Sequence, residues 1–262
     1  MISKGSHKIK TIDVIIQARI TSSRLPGKIL KRIGGKTVLE IMHNRLSFSK
    51  KINKIIYAIP KNKKNKKLLN FIKLKKYYFF EGSEKNVLKR YYFAAKKFNC
   101  QNIMRLTSDC PLIDYRICNK LINIFQKKKI DHIYTGQTFA EGLDVEILSF
   151  KTLEKIYKNA RSEIEKEHVT FYIKRNLKKF KSKKIENTNN CSKYRFTLDE
   201  KEDLVLIKKI VKQFPKILKN IYVSSNRFIE FLKKNQKIYN INSYIIRNEG
   251  LLKSLKKEQK FN

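Results

Sequence analysis

Three cations in a short stretch, Arg19, Arg24 and Lys28, carry the most readable chemistry in this chain. They stand among small and hydroxyl-bearing residues: Ala18, Thr21, Ser22, Ser23, Pro26 and Gly27. Small residues let backbone N–H groups approach an anion, and the cations offset its charge, so the stretch suits a polyphosphate. It is not a Walker A loop, which needs G-x-x-x-x-G-K-[ST]. Here Ser22 takes the first glycine position and Ile29 the last.

The acids fall in three places. Asp109 stands in Thr-Ser-Asp-Cys-Pro. A carboxylate there suits a Mg²⁺ that bridges phosphate oxygens. A turn-forming Asp ahead of a Pro-initiated helix is the equal alternative. Asp199, with Glu202 three residues on, reads first as a helix cap, because Asp-x-x-Glu before an apolar run resembles a capping box. Glu141, Asp144 and Glu146 form an acidic patch in a chain with only 22 Asp+Glu. They suit sugar hydroxyls or a second metal. Asp144 and Glu146 equally fit the solvent face of an alternating strand. His168 follows Glu167 inside a helical stretch, where a lone histidine is more often structural than catalytic.

These residues need elements to hold them. Val14-Ile15-Ile16 is a β-branched run suited to a strand buried on both faces, and it ends at the cation-rich loop. Segments 54–59, 77–80 and 102–106 read as further strands. Helices are expected over 36–46, 61–74 and 87–98, the last capped by Ser83, and after Asp114. Tyr91 and Tyr92 recur at the spacing of a buried helical face, so they read as core rather than as a base-stacking platform. Alternating strands and helices imply an α/β chain with a mostly parallel sheet and helices on both faces. Ligands of such sheets sit at the carboxyl ends of strands, where the 19–28 loop and Asp109 fall. The second half is less regular. Strands are expected over 131–134, 144–148 and 194–198, and helices over 150–159, 162–176 and from Asp199. Segment 181–192 reads as a hairpin or a loop. Beyond Pro215 the apolar segments are short and broken by lysines. The reading is a domain over 1–215 and a lysine-rich, helical extension over 216–262, packed on the domain or trailing from it and ending in a frayed helix from about Asn248.

The 61 Lys+Arg give a formal net charge of +39. The excess is mostly lysine, dispersed along the chain and accompanied by abundant Asn, Ile, Phe and Tyr. That pattern reads as compositional drift with a solvated basic face, so nucleic acid is not the expected partner. The charge still attracts nucleotides and acidic sugars. Cys100, Cys110, Cys118 and Cys191 form no C-x-x-C pair, which fits reduced thiols in a cytoplasm. MISKGSHKIK has no apolar core of a secretory signal, and no apolar run reaches the about 18 residues a membrane span needs.

QARITSSRLPGKIL, followed by GGKTVLEIMHNRL, resembles the opening of the cytidylyltransferase family that activates sugar acids, most closely its SpsF-like branch. MRLTSDCPLID, FAEGLDVEILSF, EKEHVTFYI and RFTLDEKEDL resemble later motifs of that branch, in order, across most of the chain. The resemblance implies a Rossmann-like nucleotide-diphospho-sugar transferase fold. It also implies transfer of CMP from CTP to a sugar acid of the KDO or nonulosonic kind, with release of pyrophosphate, for surface polysaccharide synthesis. By motif, Ala18, Arg19, Ser22, Arg24, Gly27, Lys28 and Arg105 fall on the nucleotide, with Arg19, Lys28 and Asp109 as the catalytic candidates. Asp109 and Asp199 fall where the family's Mg²⁺ carboxylates sit, which moves Asp199 from cap to ligand. Glu141, Asp144, Glu146 and His168 fall near the acceptor sugar. The family tends to dimerise, so a homodimer is expected. Asn86 stands where the family commonly has Asp.

Two alternatives compete. A glycosyltransferase of related fold would use a nucleotide sugar, but such enzymes usually hold metal on D-x-D, and Asp109 stands in S-D-C. A polyanion-binding scaffold without catalysis would suit the charge, but Arg19, Lys28, Asp109 and Asp199 are all intact.

Overall fold

The computed structural model describes residues 11–259. The MISKGSHKIK stretch lies outside the described residues. β1 (Ile12–Gln17) runs through a seven-stranded sheet. Val14 and Ile16 enter one apolar cluster and Ile15 another, so the strand is buried on both faces. β2 (Arg32–Ile33) and β3 (Lys36–Thr37) form a separate small hairpin. Then follow α1 (Val38–Leu46), β4 (Ile52–Pro60), α2 (Lys66–Leu74), β5 (Tyr78–Gly82), α3 (Val87–Lys97) and β6 (Asn102–Thr107). β4 and β6 flank β1 and run parallel to it, and β5 adds outside β4. The chain thus builds outward on one side of β1 and returns to its other side for β6. Such a reversal of strand order opens a crevice at the carboxyl ends of the two strands.

The second half adds α4 (Tyr115–Lys127), β7 (His132–Thr135), β8 (Glu146–Ser149), α5 (Phe150–Asn159), α6 (Glu163–Glu167), α7 (Phe171–Arg175) and β9 (Ser182–Ile185). The sheet order is β5-β4-β1-β6-β8-β7-β9, with β8 antiparallel to both its neighbours. The sheet is therefore mixed and mostly parallel. α1, α2 and α4 cover the Val14 face, and α3, α5 and α7 cover the Ile15 face. α8 (Lys201–Gln213) and α9 (Ser225–Lys234) build a third apolar cluster with Tyr194, Phe196 and Leu198. Ile217, Val223, Phe228 and Leu232 are buried in that cluster, so the chain continues to pack well past Pro215. α10 (Gln236–Tyr239) and α11 (Glu249–Gln259) follow. Among the described residues no helix is long and apolar enough to cross a membrane.

Several boundaries differ from the sequence reading for local reasons. α1 starts at Val38 because Thr37 is its N-cap, in a capping box with Glu40, while Lys36 and Thr37 pair with β2. α3 is capped by Asn86, whose side chain accepts the Lys89 N–H at 2.7 Å, and Ser83 instead accepts the Asn86 N–H at 3.1 Å. Asp and Asn cap about equally well, so Asn86 preserves this helix start. The helix expected over 162–176 breaks into α6 and α7 around His168, which lets Thr170 reach Glu146. Segment 181–192 supplies β9, parallel to β7. Segment 194–198 is extended but does not join the sheet, and only Arg195 makes a bridge, to Glu141. β8 begins at Glu146, which leaves Asp144 in the preceding loop.

Candidate active site

A cavity of about 920 Å³ opens at the carboxyl ends of β1 and β6. Tyr91 of α3 ties those ends together. Its buried hydroxyl bonds the carbonyls of Ile15 (3.1 Å) and Leu106 (2.8 Å) and accepts the Gln17 N–H (3.2 Å). The loop after β1 is shaped by Gly27, which has φ +66° and donates its N–H to the Ile20 carbonyl at 3.1 Å. That left-handed turn starts the single helical turn Lys28–Leu30 and aims Lys28 inward. Ser22 and Arg19 border the cavity from this loop, and Ser22 Oγ accepts the Leu25 N–H at 3.4 Å.

Lys28 Nζ lies 2.8 Å from Asp109 Oδ2 and 2.6 Å from Asp199 Oδ1. Burial disfavours the Lys28 ammonium, but the two carboxylates outweigh it and raise its pKa. Burial also works against the Asp109 carboxylate, yet Lys28 and the Thr107 hydroxyl hold it at about 2. Lys28 and Asp109 are therefore both charged throughout the neutral range.

Asp199 is not the helix cap. The cap is Glu200, in a box with Asp203, one residue further on than the sequence pattern indicates. Asp203 Oδ2 accepts the N–H groups of Asp199 and Glu200 at 2.8 and 2.9 Å, which leaves the Asp199 carboxylate to the cavity. Buried Arg195 orders this corner. It reaches Asp203 at 2.9 Å, Asp199 at 3.3 Å and Glu141. Burial opposes its charge, but the three carboxylates raise its pKa further. Arg24 meets Asp199 at 3.1 Å, Glu200 at 3.0 Å and Glu249 at 2.5 Å.

The opposite wall is acidic. Arg105 on β6 pairs with Glu146 on β8 at 2.8 Å, and Thr170 Oγ1 donates to the same carboxylate at 2.9 Å. Burial disfavours the Glu146 anion, but Arg105 and its other neighbours hold it at about 2. Glu141 is bonded to Arg195, and burial still raises its pKa. Asp144 accepts the Gly142 N–H at 2.9 Å and meets Arg247, also at 2.9 Å. Burial lowers the pKa of His168, whose Nε2 is 3.1 Å from Ser254 Oγ.

Gly142 makes this wall possible. Its φ is +90°, and a Cβ there would lie 2.5 Å from the Thr197 nitrogen and 2.6 Å from the Phe196 carbonyl carbon. Both neighbours are backbone and cannot step aside. Gly142→Ala is expected to cost about 2–4 kcal/mol in urea unfolding, combining left-handed strain with overpacking. An unchanged midpoint would show that the 141–144 turn is more pliable than this contact implies.

Ala18, Arg19, Ser22, Arg24, Lys28, Arg105, Asp109, Glu141, Asp144, Glu146, His168 and Asp199 all border this one cavity. Gly27 does not, and its contribution is the loop's shape. Among the described residues, no group of three or more His, Cys, Asp or Glu forms a metal cluster. Asp109 and Asp199 nevertheless converge on one cation, Lys28 Nζ. Their donor set fits Mg²⁺, which is commonly held by one or two carboxylates plus phosphate oxygens and water. Sequence reasoning missed Arg195 and Arg247. Arg195 had a signal: a cation in an apolar run with Asp199 and Asp203 four and eight residues on. Arg247 had none.

The reversal of strand order, with the cation-bearing loop and Asp109 at the carboxyl ends of β1 and β6, gives a Rossmann-like α/β fold whose cavity lies at the switch point. The cytidylyltransferase family model matches residues 14–243, and the chain belongs to this family. The spore coat polysaccharide biosynthesis protein SpsF of Bacillus subtilis (strain 168) is 28% identical over 235 residues, covering 84% of this chain and 93% of its own. A cytidylyltransferase from Leptospira borgpetersenii superimposes with a TM-score of 0.79 at 34% identity, over 88% of this chain and 97% of its own. The CMP:2-keto-3-deoxy-manno-octonic acid synthetase, solved with CTP, shares the fold at 14% identity and a TM-score of 0.61, over 78% of this chain and 99% of its own.

Proposed function

We propose that this protein transfers CMP from CTP to a sugar acid and releases pyrophosphate, in the synthesis of a surface polysaccharide. The observation that carries the reading is the Lys28 ammonium between Asp109 and Asp199, at the end of the loop that also bears Arg19 and Arg24. The family membership and the SpsF relative support the nucleotide and the pathway class.

In this reading the loop binds the triphosphate, and a sugar hydroxyl attacks the α-phosphorus in line with the departing pyrophosphate. Catalysis of this kind is mostly positioning and charge stabilisation. Lys28, Arg19 and Arg24 neutralise charge on the triphosphate as the leaving group departs. Asp109 and Asp199 would hold a Mg²⁺, which would supply neutralisation of phosphate charge and a lowered pKa for the attacking hydroxyl. Glu141, Asp144 and Glu146 are the acceptors for sugar hydroxyls. Arg105 keeps Glu146 ionised for that purpose.

The test is pyrophosphate release with Mg²⁺ and each of CTP, UTP, ATP and GTP, against KDO, sialic, legionaminic and pseudaminic acids. Release is expected with CTP and one of the acids. Release with another nucleotide keeps the reaction class and removes the cytidine assignment. No release with any pair, together with no nucleotide binding, would overturn the reading.

A further inference from the structure

α11 lies across the cavity, where Gly250, Leu251, Lys253 and Ser254 line it. None of its residues is buried. It is fastened by polar contacts: Glu249 to Arg24 at 2.5 Å, Ser254 to His168 at 3.1 Å and to Glu167 at 3.2 Å, and Glu258 to Arg175. One of these fastenings ends on Arg24, which the proposed function gives to the nucleotide, and another on His168, which borders the cavity. Exposed ion pairs are individually weak, so such a helix is easily released.

Its base is held differently. Arg247 donates to the carbonyls of Gln137 (3.0 Å) and Phe139 (2.7 Å) and pairs with Asp144 at 2.9 Å. Between base and helix stands Asn248, in left-handed conformation at φ +56°, with its N–H on Glu141 Oε1 at 2.9 Å. The chain therefore has an anchored base, a sharp turn and a loosely fastened helix, all beyond the segment the family model matches. Of the three carboxylates on Arg24, Asp199 and Glu200 belong to the start of α8, and only Glu249 can leave without disturbing the domain.

We propose that α11 is a displaceable strap hinged at Asn248, in which Glu249 holds Arg24 in place of a nucleotide phosphate. Strap docking and nucleotide binding then exclude each other. The inference rests on Arg24 being a phosphate ligand, as the proposed function has it. Docking lowers the fraction of binding-competent protein, so loosening the strap tightens nucleotide binding.

Hydrogen exchange of the full chain, with and without CTP or inorganic tripolyphosphate, tests this. CTP is expected to slow exchange in 18–28 and to speed it in 249–259. Glu249→Gln and Glu258→Gln should each speed exchange of α11 without ligand and tighten CTP binding about 2- to 5-fold. Glu258 touches no residue assigned to nucleotide, so its effect separates strap release from removal of a charge beside Arg24. Slower exchange in 18–28 with α11 unchanged would overturn the strap and leave the nucleotide reading standing. So would a tighter Glu249→Gln variant beside an unaltered Glu258→Gln. If tripolyphosphate opens α11 and CTP does not, the strap stands and the cytidine assignment falls. If neither ligand alters 18–28, both inferences fall.

Discussion

Lys28→Ala is expected to lower kcat by about 10²–10³-fold, the loss typical of removing one preorganised donor from developing charge. The ammonium sits 2.6 and 2.8 Å from the two carboxylates, on the rigid turn that Gly27 starts. It therefore meets an arriving triphosphate without reorganising. Removing it leaves Asp109 and Asp199 facing an anion with less compensation, so nucleotide binding should weaken as well. Asp109→Asn should cause a comparable loss, because it removes one of the two anchors that aim Lys28. Groups that act as a unit are not additive, so the double variant should lose little more than the worse single one. Steady-state pyrophosphate release at saturating CTP and Mg²⁺ measures all three variants. Near-normal turnover in Lys28→Ala, or losses that multiply in the double, would sink the idea of a single Lys–Asp unit.

The centre of the sheet was legible because β1 and β4 are dense in β-branched residues and bury both faces. Ile15 packs one way and Val14 and Ile16 the other, and no tertiary contact overrides that pattern. The irregular half was harder to read. Segment 194–198 alternates like a strand, yet it runs outside the sheet, and Tyr194, Phe196 and Leu198 bury in the third apolar cluster. Periodicity reports burial, and it does not say which partner does the burying. The helix start after Asp199 was misread by one residue because Asp199, Glu200, Glu202 and Asp203 offer two overlapping capping boxes. The competition was decided by Arg195, which holds Asp203 at 2.9 Å and so fixes the cap on Glu200. The helix α11 was expected from about Asn248, but its docking left little trace, since a helix fastened by ion pairs has no apolar stripe to announce where it docks.

Arg195→Met tests whether that buried cation organises the site. The arginine is 6% exposed, Asp203 is fully buried, and Glu141 and Asp199 are mostly covered. Methionine fills similar space without charge, so it leaves three carboxylates beside an apolar side chain. Breaking a buried pair by removing one partner typically costs about 3–5 kcal/mol, because the remaining charge stays desolvated. Set against a typical domain stability of about 5–15 kcal/mol, that is a large share, and the urea midpoint should fall accordingly. Asp203 retains Asn242 at 2.8 Å and two backbone N–H groups, so the cap of α8 is weakened rather than lost. Glu141 keeps the Asn248 N–H but loses its cation, while Asp199 keeps Lys28 and Arg24, and both border the cavity. Activity should therefore fall even at temperatures where the variant remains folded. A second change, Asp203→Asn, removes one of the stranded charges and should recover part of the stability, as expected for residues in direct contact. It should not restore turnover, because Arg195 no longer orients Glu141 and Asp199 at the cavity wall. A midpoint shift under about 0.5 kcal/mol in Arg195→Met would mean that water or a neighbouring lysine replaces the guanidinium.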